Sequence, residues 1–230
     1  MRRFFALLLC LCLLPLPTGA AEGEKYVALT FDDGPSGRFT RNLLKGLRDR
    51  DVRATFFLCG YRMEDYPELT ERIFREGHEI GCHGYSHSDM GPMSRRQVAD
   101  EISRMRALLP QGCRMAFLRP PGGNSSDAVE QVAGIQALAV LGWSVDPRDW
   151  AIRDAWAVEK EVLRQVRDGD VILLHDMSDS SVRAALDIVD NLKSRGFAFV
   201  TVSELARLRG TEPKAGRSYT HFPPRDPGIK

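Results

Sequence analysis

From Tyr26 onward, short apolar runs alternate with stretches in which apolar residues recur every three or four positions. An apolar run bounded by turn formers reads as a buried strand, and the three-to-four repeat reads as an amphipathic helix. Residues 26–31 are thus a strand, and 40–49 a helix with Leu43, Leu44 and Leu47 on one face. Residues 54–58 are a second strand, 67–75 a helix opened by Pro67, and 78–82 a third strand. Ser94 with Gln97 has the form of a capping box and starts a helix running to Leu109, before Pro110. Strands follow at 117–118, within 138–145, at 171–174 and at 197–202. Between them lie helices at 126–132, 155–166 and 182–193, and Ser203 caps a last short helix. This alternation implies a parallel sheet covered by helices. About seven such units favour closure into a barrel, although periodicity alone does not separate a barrel from an open sheet.

The ends of the chain break the rhythm. Arg2 and Arg3, an apolar run over 4–14, Pro15, Pro17 and the small residues 18–21 have the layout of a secretory signal peptide over 1–21. The apolar run is short for a membrane span; an uncleaved leader acting as an anchor is the alternative. Residues 22–210 then form one catalytic domain, and 211–230, with four prolines, a polar C-terminal tail ordered only if it packs on the domain. The whole sequence has 230 residues, 43% of them hydrophobic, enough for one sizeable core. Its net charge of +1 gives no electrostatic case for a nucleic-acid partner. Loss of the leader leaves Cys59, Cys82 and Cys113, an odd set that argues against a disulfide framework; Cys59 reads as core packing.

The chemistry-bearing residues fall just after the strands, where active sites form in parallel α/β folds. Asp32 and Asp33 end the first strand, His83 and His87 follow the third, and Arg119 ends the fourth. Asp146 and Asp149 follow the fifth, and His175 and Asp176 end the sixth. Two histidines four apart can face one way on a helical turn and bind one metal, with a carboxylate completing an open catalytic set. Two surface histidines are the alternative. Gly34-Pro35 forces a turn after the aspartate pair, so one aspartate can bind metal while the other accepts a proton from water. His175 is either a core histidine or a general acid, and Asp149 is a candidate to orient it. Arg119 could grip a carboxylate, and the glycines at 122–123 could bring backbone N–H groups to a substrate oxygen. Trp150 could carry a sugar ring, while Trp143 reads as core.

Five segments, taken in order, resemble the polysaccharide deacetylase family, carbohydrate esterases that include chitin and peptidoglycan deacetylases. They are Thr30-Phe31-Asp32-Asp33-Gly34-Pro35, His83-Gly84-Tyr85-Ser86-His87, Arg119-Pro120-Pro121, Asp146-Pro147-Arg148-Asp149-Trp150 and Leu173-Leu174-His175-Asp176. The resemblance spans about 26–208 and implies a distorted (β/α) barrel of seven parallel strands. It implies Asp33, His83 and His87 as ligands of a divalent metal, commonly Zn2+, with Co2+ or Ni2+ as alternatives. It implies Asp32 as general base oriented by Arg119, and His175 as general acid tuned by Asp149. Trp150 and Leu173 would line the acetyl pocket; His78 would serve packing. Where the family often has a tyrosine after the Arg-x-Pro segment, Gly122 stands here; an N–H for an oxyanion is kept and a side-chain wall is lost. The short 36–39 segment predicts an open groove.

The expected activity is metal-dependent hydrolysis of N-acetyl groups on N-acetylglucosamine units of an extracellular polysaccharide, most naturally peptidoglycan. The partner is the acetylated glycan, the location secreted or cell-wall, and the enzyme a monomer. An O-acetyl esterase on a xylan-like glycan, and a carbohydrate-binding protein without catalysis, are the alternatives.

Overall fold

The computed structural model describes residues 24–224; the leader expected at 1–21 lies outside them. The elements run β1 (Lys25–Asp32), α1 (Arg38–Arg48), β2 (Thr55–Leu58), α2 (Gly60–Asp65), α3 (Pro67–Arg75), β3 (Glu79–Cys82), α4 (Arg95–Arg106) and β4 (Phe117–Leu118). They continue α5 (Asp127–Ile135), β5 (Ala139–Leu141), α6 (Ala155–Gln165), β6 (Val171–His175), α7 (Asp179–Ser194), β7 (Phe197–Phe199), α8 (Val202–Leu208) and β8 (Ser218–Tyr219).

The strands pair in parallel in the order β6-β1-β2-β3-β4-β5-β8, with β7 also on β1. This curled sheet is the distorted (β/α) barrel, its seven main strands joined by helices. The seam between β5 and β6 is not a regular ladder. It is closed by a bridge from Val145 to Ile172 and by β8 alongside β5.

Strand alternation sorts the core into two layers. Val27, Leu29 and Phe31 of β1, Phe56 of β2 and Ile172 and Leu174 of β6 pack under helix residues such as Leu43, Ile73, Ile102 and Ile188. Tyr26, Ala28, Phe57, Phe117, Leu141 and Val171 face the interior. Val202 and Leu205 of α8 and Phe222 of the tail join that inner cluster and plug the end where β1 and β6 begin. The same alternation aims Thr30 and Asp32 into the interior at the other end.

Local corrections have local causes. Thr201 caps α8, not Ser203: its hydroxyl accepts from Glu204 N–H and the Glu204 carboxylate accepts from Thr201 N–H. The Ser203 hydroxyl instead donates to Glu79. The capping box at Ser94 forms as read, but α4 ends at Arg106, not Leu109. Helix α2 was not expected, because its six residues hold only two buried positions. Over 211–224 the tail packs on the domain: Val140 N–H bonds Arg217 O, Gly142 N–H bonds Tyr219 O, and Phe222 is buried. The three cysteines are free thiols, Cys59 and Cys82 fully buried. His78 is buried, its Nδ1 accepting from Ala54 N–H at 3.1 Å, and burial pulls its pKa down to about 4.

Candidate active site

Asp32 is the last residue of β1 and remains on its interior face. Asp33 then leaves the strand at φ 72°, which turns its carboxylate toward the segment after β3. There His83 and His87 sit in a turn rather than on a helix. Gly84 at φ 78° and His87 at φ 59° reverse the chain and bring the two rings to 5.2 Å. Asp33 Oδ1 lies 3.3 Å from His83 Nε2 and 2.9 Å from His87 Nε2. Candidate donor atoms of these three residues all fall within 4.8 Å of one another.

The chemistry of this set fits a cation. His83 Nδ1 stands 2.7 Å from the Arg119 carbonyl, which can only accept, so that nitrogen carries the ring proton. Nε2 therefore turns a lone pair toward a buried carboxylate oxygen that has no hydrogen-bond donor of its own. Acceptors converging on acceptors call for a positive charge between them, and two imidazoles with one carboxylate suit a divalent ion with open positions.

Arg119 lies in the barrel interior, fully buried. Nη1 donates to Asp32 Oδ1 at 2.6 Å and Thr30 Oγ1 at 2.9 Å; Nε and Nη2 donate to the Leu141 and Gly142 carbonyls. The guanidinium also covers the Phe57 ring at 4.0 Å. Asp32 Oδ2 is left facing the ligand set, 3.8 Å from His83 Nε2. Across the site, Asp149 Oδ1 stands 2.8 Å from His175 Nδ1, while its Oδ2 accepts from His175 N–H at 2.9 Å. Burial opposes a charge on His175, but the Asp149 carboxylate, aided by Asp32 and Asp33, pushes its pKa up to about 9. Asp32, Asp33, His83, His87 and His175 border a cavity of about 380 Å³, with Gly122, Trp143, Asp146, Trp150 and Leu173 on its walls. Trp150 is 60% exposed, at the rim of the groove.

The sequence profile of polysaccharide deacetylases matches residues 19–139. The chain belongs to the polysaccharide deacetylase family. It is 36% identical to a peptidoglycan-N-acetylglucosamine deacetylase of Bacillus cereus over 205 residues, covering 84% of this chain and 96% of that protein. It is 34% identical to the peptidoglycan-N-acetylmuramic acid deacetylase of Bacillus subtilis over 198 residues, 85% of this chain but 42% of that longer protein. Among solved structures, it resembles a family 4 acetyl xylan esterase from Clostridium thermocellum in complex with a cobalt ion. The TM-score is 0.81 at 35% identity, over 86% of this chain and all of that one. The protein is an enzyme of this deacetylase family, a hydrolase.

In this family member Asp32, Asp33, His83, His87, Gly122, Asp146, Trp150, Leu173 and His175 line one cavity, with Arg119 behind Asp32 and Asp149 behind His175. One contributor escaped the reading of the sequence. Glu101 of α4 is buried, and its carboxylate accepts from Tyr85 N–H at 2.7 Å, Ser86 N–H at 2.8 Å and the Ser86 hydroxyl at 2.8 Å. It ties down the turn that carries both histidines. The signal was present: Glu101 sits among Val98, Ile102 and Met105, a carboxylate in an apolar stripe. Glu101→Ala is expected to weaken divalent-metal binding roughly 10–100-fold, the usual scale for support groups behind ligands. A competitive chelator titration checks it; unchanged affinity would remove Glu101 from the site.

Proposed function

We propose that the enzyme hydrolyses the N-acetyl amide of N-acetylglucosamine units in an extracellular polysaccharide, most naturally peptidoglycan. The observation that carries this reading is the meeting of an Asp-His-His cation set, the Arg119-held Asp32 and the Asp149-held His175 around one open cavity. Asp33, His83 and His87 hold the ion, with zinc the preferred occupant and cobalt or nickel alternatives. When bound, a divalent cation polarises the acetyl carbonyl and makes water more acidic.

The chain's own groups do the rest. Arg119 fixes Asp32 Oδ1, so Oδ2 faces the site and takes a proton from the attacking water. The Gly122 N–H faces the oxygen that gains charge. Asp149 holds the proton on His175 Nδ1, which leaves Nε2 to protonate the departing sugar nitrogen as acetate forms. Trp150 and Leu173 wall the acetyl methyl group. The catalytic unit is read as 22–210, followed by the tail at 211–230, acting as a monomer outside the cytoplasm after loss of the 1–21 leader.

Support for peptidoglycan comes from the Bacillus cereus relative, which this chain spans almost end to end. The likeness to the acetyl xylan esterase favours a second reading, O-acetyl hydrolysis on xylan by the same groups. Acetate release from N-acetylglucosamine oligomers, purified peptidoglycan and acetylated xylan, with and without chelator, decides between them. Release from xylan alone would overturn the amide reading; no release from any glycan would overturn catalysis.

The pH dependence follows from His175. A general acid must be protonated, so the rate is expected to fall as pH rises through about 9. In Asp149→Asn the ion pair is lost, and this alkaline limb is expected to move toward the ordinary imidazole value of about 6.5. A pH–rate profile with the limb unmoved would separate Asp149 from the acid.

A further inference from the structure

The groove has a second lobe that the hydrolytic steps leave unused. It is a cavity of about 410 Å³ that shares Asp33, Trp150 and His175 with the first and extends past them to Arg153, Met177, Ser178 and Ser181. It starts at His175, the residue assigned to protonate the leaving sugar, so it lies on that sugar's side. Its volume falls in the range of pockets that hold small ligands. The exposed indole of Trp150 forms a wall common to both lobes, a flat apolar surface suited to a sugar ring.

Charge distinguishes this lobe from a neutral sugar site. No nearby carboxylate forms an ion pair with Arg153 among the described residues. Asp149 holds His175, Asp33 faces the two ligand histidines, and Asp179 pairs with Arg38 at 2.9 Å. Asp154, adjacent in sequence to Arg153, caps α6 through the Trp156 and Ala157 N–H groups. Arg153 is exposed on the lobe and forms no salt bridge or side-chain hydrogen bond among the described residues. A guanidinium with no carboxylate of its own, lining a cavity, matches a carboxylate brought by the ligand.

We infer that this lobe seats the sugar next to the one being deacetylated, and that Arg153 reads a carboxylate on that neighbour. This rests on the deacetylase reading above and narrows its substrate to carboxylate-bearing glycans. Two sources share that chemistry, the lactyl carboxylate of a muramic acid residue and the uronic acid branch of a xylan. A glycan of neutral sugars leaves Arg153 unmatched.

The test is equilibrium binding to the zinc-loaded full chain carrying Asp32→Asn, so that ligands are not consumed. The ligands are the N-acetylglucosaminyl–N-acetylmuramic acid disaccharide against chitobiose, and a uronic-acid-branched xylo-oligosaccharide against its unbranched counterpart. At least one carboxylate ligand is expected to bind roughly tenfold more tightly than its neutral counterpart, with the preference weakening in high salt. That ratio is expected to collapse in Arg153→Ala and to return in part in Arg153→Lys; the pair that shows it names the source. Equal binding within both pairs, or a preference undiminished in Arg153→Ala, would overturn the inference. Acetate release by the unmodified enzyme is scored separately. A preference intact without release from any glycan fails the deacetylase reading alone, and release without preference fails only the carboxylate site.

Discussion

Asp32→Asn is expected to lower kcat/KM for acetate release by roughly 10²–10⁴-fold, the range supplied by a positioned general base. The substitution is close to isosteric. An asparagine Oδ1 can still accept from Arg119 Nη1, now 2.6 Å from the carboxylate, so the interior layer keeps its packing. What is lost is the carboxylate oxygen that faces the ligand set, the proposed proton acceptor. Asp32 is not one of the three residues whose donor atoms converge, so metal affinity should change by no more than a few-fold. Steady-state kinetics and metal analysis of the purified variant check both halves. A rate within tenfold of the parent would end the base assignment, and loss of metal would make Asp32 a ligand.

Arg119→Met should destabilise the fold by about 3–5 kcal/mol, the usual consequence of removing one partner of a buried ion pair. Arg119 is fully buried, and its donors reach Asp32, Thr30 and two backbone carbonyls. Methionine fills much of the space but leaves the Asp32 carboxylate in the interior without its ion-pair partner. Urea unfolding should show a lower midpoint with an unchanged slope. The double variant Arg119→Met with Asp32→Asn should recover part of the loss, because the unmatched charge has gone. A single-variant loss under 1 kcal/mol would mean that water or a rearranged side chain takes over the role of Arg119.

The site was legible because its chemistry rides on strand ends. Once β1 is read as a strand, alternation aims Asp32 inward, and a turn must follow at Gly34-Pro35. His175 is placed the same way by the apolar run before it. What was missed depends on contacts made through space. Spacing suggested that His83 and His87 share a helical turn, whereas positive φ at Gly84 and His87 brings them together in a loop. Holding that loop falls to Glu101, sixteen residues from Tyr85, a distance no local pattern spans. The cap expected at Ser203 lies two residues earlier, because reciprocity with Glu204 selects Thr201. The tail looked polar because its ordering rests on only a few residues, Tyr219 and Phe222 foremost.

The pairing of β1 also sets a timetable. One of its edge partners, β2, follows directly, but β6 enters its register only at Val171 and β7 at Phe197. During synthesis, the first strand must therefore wait for the last third of the chain before its neighbours exist. Pairings between distant segments also form slowly, because loop-closure entropy is spent before contacts are gained. Until then β1 has a partner on one edge only, and the barrel cannot close. In the extracytoplasmic setting proposed above, that delay lets a translocation channel accept the precursor without first pulling a finished barrel apart.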